Sequence, residues 1–272
     1  MADLDLQVRF LRHGTDDGIE CVESELGHGE RRWRVPAEQS ALVLVDCWAE
    51  HFITSHQENS GRIMREVLKP AVEAARAAGV TVVHAPSPTY VEAYPQWVAY
   101  ASDRDLGLVP AEAQDDWPPP HFRRKEGEYA PFARLPEPKI REWGTDPSRY
   151  RIFEELGPLP GDFVVKTGEQ LHRLLKHRKL LHLFYAGFAA NICMLYRDYG
   201  TRAMAQRGYN VVLLRDCTVG IEARDTESGQ WLTTAAIYTV EMSSGHSATA
   251  ADFIRACREA GTAGAPSAEG RE

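Results

Sequence analysis

Cysteine is scarce in this chain: five residues in 272, with no Cys-x-x-Cys pair. An odd, scattered set is not typical of a disulfide framework or of a zinc site, and it is usual in a reducing compartment. We therefore expect a cytoplasmic protein. We also expect each cysteine to act as a small buried hydrophobic residue unless its position indicates chemistry.

Positive charge is also limited, with 31 Lys and Arg against 39 Asp and Glu and a formal net charge of −8. Nucleic-acid binding requires a surface that offsets phosphate charge, so we expect no nucleic-acid partner. No apolar run approaches the length of a membrane span, and the first residues lack the apolar segment of a signal peptide. We therefore expect no membrane partner either.

The chain does contain a regular alternation of apolar β-branched runs and helical patterns. The runs predict strands at 40–46, 80–86, 162–166, 180–187 and 209–216, and the patterns predict helices at 60–79, 190–208, 229–244 and 249–260. Short connections between such elements predict an α/β fold, doubly wound, with a mainly parallel sheet and helices on both faces.

Three segments depart from this rhythm and define the predicted domain organisation. Residues 1–39 form an N-terminal extension, residues 40–260 the main domain, and residues 261–272 a disordered tail. Within the domain, residues 87–161 form a long insert that holds most of the prolines and many aromatic residues. A connection of this length is usually functional, so we expect a lid-like insert.

Three reactive side chains occupy the predicted carboxyl edge of the sheet. Asp46 ends the run SALVLVD, Lys166 ends DFVVK, and Cys193 follows LLHLFYAG. Each alone has an ordinary explanation, as a helix cap, a solvated cation or a packed thiol. Together they supply a carboxylate base, a cation and a nucleophile, which acyl transfer requires. Cys193 would begin a helix, whose dipole favours a thiolate; Cys47 is a weaker candidate because strand alternation turns it away from Asp46.

The order ALVLVD, VVK, AGFAANIC and GYNVVLLRDC resembles the isochorismatase-like cysteine hydrolases, over roughly residues 41–253. This family includes N-carbamoylsarcosine amidase, nicotinamidase, and ureidoacrylate and biuret hydrolases. The resemblance implies a six-stranded parallel sheet and an Asp46–Lys166–Cys193 triad that hydrolyses C–N bonds. It also implies a cis peptide between Phe188 and Ala189 beside an oxyanion hole, and a homo-oligomer, either a dimer or a tetramer.

The chain departs from the family pattern around the site. The metal-binding branch carries an Asp-x-His pair that does not follow Asp46 here, so we expect no metal and no other cofactor. The sequence DCWAEHF occupies the region that shapes the substrate pocket, which leaves the substrate open. Tentative pocket residues are Trp48, Phe52, His84, Asn191 and Arg197.

The leading functional hypothesis is a cysteine-dependent amidohydrolase of a small molecule, acting through a thioester on an amide, ureide, carbamoyl compound or cyclic imide. One alternative is the vinyl-ether hydrolysis of isochorismatase proper, which does not need a cysteine; the presence of Cys193 argues against it. The other alternative is a non-catalytic binding or assembly subunit with the same fold. The complete set of three reactive residues argues against that.

Overall fold

One sheet organises the molecule, which is known from a computed structural model describing residues 2–109, 116–135 and 137–263. Across these residues the sheet has eight strands in the order β2-β1-β8-β7-β6-β3-β4-β5. The strands are β1 Asp3–Leu11, β2 His28–Pro36, β3 Ser40–Val45, β4 Thr81–Ala85, β5 Phe163–Val164, β6 His182–Gly187, β7 Asn210–Leu214 and β8 His246–Ala248.

The predicted six-stranded parallel sheet is confirmed by the block from β8 to β5, in which every neighbouring pair is parallel. Strand β8 was not located from the sequence, because three residues are too few to produce a recognisable alternation. The N-terminal extension forms the hairpin β1–β2, which continues the sheet through an antiparallel contact between β1 and β8.

Helices cover both faces, as predicted. They are α1 Thr54–Ile63, α2 Lys69–Ala77, α3 Pro120–Arg124, α4 Pro138–Trp143, α5 Gly168–Arg178, α6 Cys193–Tyr196, α7 Thr201–Gln206, α8 Trp231–Ser243 and α9 Ala250–Ala263. Alternate residues of β3 enter different cores: Leu44 packs in the cluster with α2 and α9, and Val43 in the cluster with α5 and α8. In the described ranges, no helix combines the length and apolar character needed to cross a membrane.

Three predicted segments differ in detail. The helix expected at 60–79 begins earlier, at Thr54, and runs to Ala77 as α1 and α2 joined by a π-helical turn at Met64–Leu68. The helix expected at 190–208 is divided into α6 and α7, because Arg197 adopts an extended conformation (ψ 152°). The predicted tail begins within α9, which continues to Ala263. The rest of the tail, 264–272, lies outside the described residues.

The end of the long insert is fixed against the chain that follows β3. The backbone N–H of Phe153 donates to the carbonyl of Cys47 at 2.8 Å, and that of Ala49 to the carbonyl of Arg151 at 2.9 Å. This pairing brings residues 143–153 beside the carboxyl end of β3. Elsewhere in the insert Trp117 is 73% exposed. The lid-like role of the insert and the homo-oligomer remain predictions.

Gly187 ends β6 where the two central strands approach each other closely. Its φ is +121°, and a Cβ there would lie 2.0 Å from the carbonyl oxygen of Val45. We expect Gly187→Ala to lower the free energy of unfolding by about 3 kcal/mol, since it adds a backbone clash to an unfavourable φ. The control Gly208→Ala (φ +90°) has open space around it and should lose only about 1 kcal/mol. Urea denaturation measures the free energy of unfolding of both variants. Equal losses would show that the close approach of Gly187 to Val45 does not add to the cost of the substitution.

Candidate active site

Asp46 occupies the turn that ends β3. Its φ of +44° is rare for a residue other than glycine, and its N–H donates to the carbonyl of Ala85 at 3.0 Å. This turn directs the carboxylate into the interior, where the residue is only 3% exposed. A buried carboxylate needs a cation or several hydrogen bonds to remain ionised. The partner of Asp46 is therefore the central question about the site.

That partner is Arg197 and not Lys166. The Arg197 guanidinium donates to Oδ2 of Asp46, at 3.0 Å from Nη2 and 3.4 Å from Nε. Lys166 instead pairs with Glu92 at 2.6 Å and lies over the ring of Trp97, 5.2 Å from its centroid. The expectation that Lys166 contacts Asp46 is thus not met in this structure. Arg197, expected only as a pocket residue, supplies the cation.

Cys193 reaches Asp46 through a tightly held backbone turn. The peptide between Phe188 and Ala189 is cis, as the resemblance implied. The N–H of Phe188 donates to the carbonyl of Val45 at 2.9 Å, which ties this turn to the end of β3. The Cys193 side chain and the Asp46 carboxylate line the same cavity and interact electrostatically. Oδ1 of Asp46 is buried and has no hydrogen-bond partner among the described residues. The thiol and a carboxylate oxygen that is available to accept a proton thus belong to one cavity.

The protonation states differ from the sequence-based expectation of a stabilised thiolate. Burial raises the pKa of Cys193 to about 12, and the neighbouring charge of Asp46 acts in the same direction. Helix α6 has only four residues and does not offset these effects. Burial also raises the pKa of Asp46, opposed mainly by Arg197. The resting state is therefore a thiol beside a carboxylate of increased basicity, poised for proton transfer.

A cavity of about 170 Å³ opens beside Cys193. It is lined by Asp46, Trp48, Glu50, His51, Phe52, His56, Ser60, Phe188, Ala189, Ile192, Cys193 and Ile221. The predicted pocket residues Trp48 and Phe52 are among them. Most of the wall is aromatic or aliphatic, so the cavity suits an apolar group held next to the sulfur.

Three predicted pocket residues, His84, Asn191 and Arg197, are not among the residues that line the cavity. Arg197 lies behind it on Asp46. His84 is buried within β4, where its Nε2 lies 3.2 Å from Asp162. Asn191 forms two hydrogen bonds with the backbone of Ile221, at 2.9 and 3.0 Å. Asn191 thus holds a wall residue in place from behind and does not itself line the cavity.

Two histidines, His51 and His56, also form part of the wall. The ring of His51 stacks on that of Phe52 with centroids 4.4 Å apart and lies 4.6 Å from that of His56. Burial lowers the pKa of His51 to about 4 and also lowers that of His56. Both imidazoles are therefore neutral near pH 7. In the sequence, the clustering of aromatic residues in DCWAEHF was the feature that could have indicated an aromatic pocket wall.

Two insert residues support this wall from outside. Tyr150 meets the ring of Trp48 edge-on at 4.8 Å, and Trp143 lies 5.7 Å from Phe52. The insert thus contributes to the site by buttressing its aromatic side chains. Within the described ranges, no group of three or more His, Cys, Asp or Glu side chains is arranged to hold a metal ion.

One negative charge resides on the Asp46 carboxylate or, after proton transfer, on the Cys193 sulfur, and Arg197 stabilises it in both places. Arg197→Met should therefore raise the pH at which Cys193 becomes reactive. An opposite charge at this distance shifts a pKa by one or more units. We expect iodoacetamide to alkylate Cys193 about tenfold more slowly in Arg197→Met at pH 7. Lys166→Met is the matched control and should not change the rate. Peptide mapping measures both, with exposed Cys21 as internal reference; slowing by Lys166→Met alone would restore the role first assigned to it.

Comparison with known proteins places the chain in a family. Residues 40–244 match the Isochorismatase domain. The ureidoacrylate amidohydrolase of Azorhizobium caulinodans is 26% identical over 239 residues, covering 82% of this chain and 92% of that one. A cysteine hydrolase structure from Pseudomonas syringae pv. phaseolicola superposes with a TM-score of 0.54 at 18% identity, covering 84% of this chain and 97% of that one. The match spans most of the chain, and the fold agrees with it: this protein belongs to the Isochorismatase domain family.

Proposed function

We propose that this protein is a cysteine-dependent amidohydrolase that cleaves a C–N bond of a small molecule through a thioester. One observation carries the proposal. The Cys193 thiol and the buried carboxylate of Asp46 line one apolar cavity together with Ala189, and Oδ1 of Asp46 has no hydrogen-bond partner among the described residues. The similarity to an enzyme named as a ureidoacrylate amidohydrolase supports hydrolysis of a non-peptide C–N bond.

The first half-reaction forms the thioester. As the sulfur of Cys193 attacks the carbonyl carbon, its proton passes to Asp46, and the C=O electron pair moves onto oxygen. Backbone N–H groups at Ala189 and Cys193 receive this oxyanion; a single donor of this kind is worth about 10²–10³ in rate. The tetrahedral adduct then collapses, the C–N bond breaks, and the leaving nitrogen takes the proton from Asp46.

The second half-reaction releases the acid. Water attacks the thioester carbonyl while Asp46 accepts one of its protons. The same donors receive the oxyanion, the C–S bond breaks, and the proton returns to the departing sulfur of Cys193. Each half-reaction thus uses Asp46 once as base and once as acid. Burial raises the pKa of Asp46 above its ordinary value, which makes its carboxylate a stronger base toward the thiol than an exposed aspartate would be.

Arg197 acts as a positioning residue in this scheme. It holds the Asp46 carboxylate at 3.0 Å and offsets its charge, so Asp46 stays ionised although it is buried. Lys166 has its own carboxylate partner in Glu92. We therefore assign the cationic role to Arg197 and leave Lys166 outside the reacting group.

Vinyl-ether hydrolysis is the second candidate function. That chemistry requires a general acid and has no use for a thiol, whereas here a thiol and a buried carboxylate line one cavity. A binding subunit would likewise have no need of a buried Asp46, which costs stability unless it is paired. The amidohydrolase is therefore the better supported reading.

Cys193→Ala should abolish amide hydrolysis while leaving the fold intact, because it removes the nucleophile and only one small atom from the wall. Asp46→Asn should reduce kcat by at least about 10³-fold, since an amide cannot accept the thiol proton. Cys47→Ala is the control: Cys47 is buried, and burial raises its pKa further than that of Cys193. It should retain most of the activity.

The assay is ammonia or acid release from a panel of amides, ureides, carbamoyl compounds and cyclic imides, with melting temperature followed in parallel. If Cys193→Ala kept more than a few per cent of the wild-type rate, the thioester route would be wrong. If Cys47→Ala lost activity with an unchanged melting temperature, the nucleophile would have been assigned to the wrong cysteine.

A further inference from the structure

The cavity beside Cys193 has a distinctive charge arrangement. Two carboxylates, Asp46 and Glu50, belong to its lining, and both neighbouring cations are already engaged. Arg197 holds Asp46 at 3.0 Å, and Arg151 holds Glu50 at 2.8 Å. Of the described residues that line the cavity, none is a lysine or an arginine. An anionic ligand would therefore meet two carboxylates and no unoccupied cation.

The two histidines of the wall carry no positive charge that would attract an anion. His51 accepts a hydrogen bond at Nδ1 from the N–H of Ile53 at 3.0 Å, and burial keeps its ring neutral near pH 7. His56 is also neutral for the same reason, and its Nδ1 lies 3.2 Å from the carbonyl of Gly220. These rings present a polarizable, uncharged surface that is continuous with the ring of Phe52.

The cavity beside Cys193 matches the size of one small apolar group. Its volume is about 170 Å³. An apolar cavity of about 150 Å³ accommodates a benzene molecule. The side chains of Trp48, Phe188 and Ile192 offer the faces and edges that a ring or a branched alkyl group would contact.

From these observations we propose the substrate class: a neutral amide or carbamoyl compound that carries one apolar group no larger than a single ring. Compounds with a carboxylate, including ureidoacrylate, are excluded by Asp46 and Glu50. This inference rests on the proposed function, because the ligand is a substrate only if the protein is an amidohydrolase. The preference of the cavity for small uncharged ligands can be measured without turnover.

Two alkylating reagents that differ in charge test the selection directly. Iodoacetamide is neutral and iodoacetate is an anion, and both transfer their CH₂ group to sulfur with loss of iodide. The ratio of the two rates at Cys193 is divided by the same ratio for the small neutral thiol 2-mercaptoethanol, which removes the intrinsic difference between the reagents. We expect this normalised preference for the neutral reagent to be about tenfold or more.

Glu50→Gln should reduce that preference severalfold, because it removes one carboxylate of the lining and leaves its partner Arg151 without a counter-ion. The matched control is Glu58→Gln on α1, which removes an exposed carboxylate outside the cavity lining and should leave the preference unchanged. A normalised ratio near one in the wild-type protein would overturn the proposal. An equal effect of both variants would also overturn it, since the selection would then come from the overall negative charge.

A second arm uses protection of Cys193 against iodoacetamide. Phenylacetamide should protect at concentrations where phenylacetate and the bicyclic 2-naphthylacetamide do not. The two proposals fail separately. Charge and size selection without hydrolysis of any amide would sustain the cavity assignment and refute the amidohydrolase. Efficient hydrolysis of ureidoacrylate would sustain the amidohydrolase and refute the substrate class.

Discussion

The buried ion pair between Asp46 and Arg197 is the constraint on which the rest of the site depends. Asp46 is almost fully enclosed, and without a cation it would take up a proton and could no longer receive one from Cys193. The pair also joins separate parts of the chain, the end of β3 and the segment between α6 and α7. Its charge balance therefore links the fold of the sheet edge to the chemistry that we propose there.

The surrounding elements serve this edge in different ways. Gly187 allows β6 to approach Val45, so that the turn carrying Phe188 and Ala189 lies beside Asp46. The end of the insert pairs with the chain after β3 and supports the aromatic wall from outside. The result is an apolar chamber whose charged groups are already paired. Such a chamber strengthens the interactions within it and favours uncharged ligands.

Much of this was accessible from the sequence. Long apolar runs such as SALVLVD predict buried parallel strands, and the strand ends identified Asp46 and Cys193 as neighbours. Strand β8 was not predicted because it has only three residues. The hairpin β1–β2 was also missed, although Leu4, Leu6 and Val8 alternate with polar residues in β1 and give a strand pattern. The exchange of Lys166 for Arg197 was also inaccessible, since it depends on the break between α6 and α7 and on where two long side chains reach. The position of the His84 side chain outside the pocket could not be predicted either, because it depends on the register of β4 in the sheet.

The central claim is that Cys193 becomes acylated during turnover. The most direct measurement is rapid acid quench of the enzyme with the p-nitrophenyl ester of a small neutral acid, followed by peptide mass mapping. The good leaving group makes acylation fast, so the acyl-enzyme should accumulate. The account predicts a burst of nitrophenol matched by the acyl mass on the peptide containing Cys193. A burst with Cys193 unmodified, or with the acyl group on another residue, would contradict it.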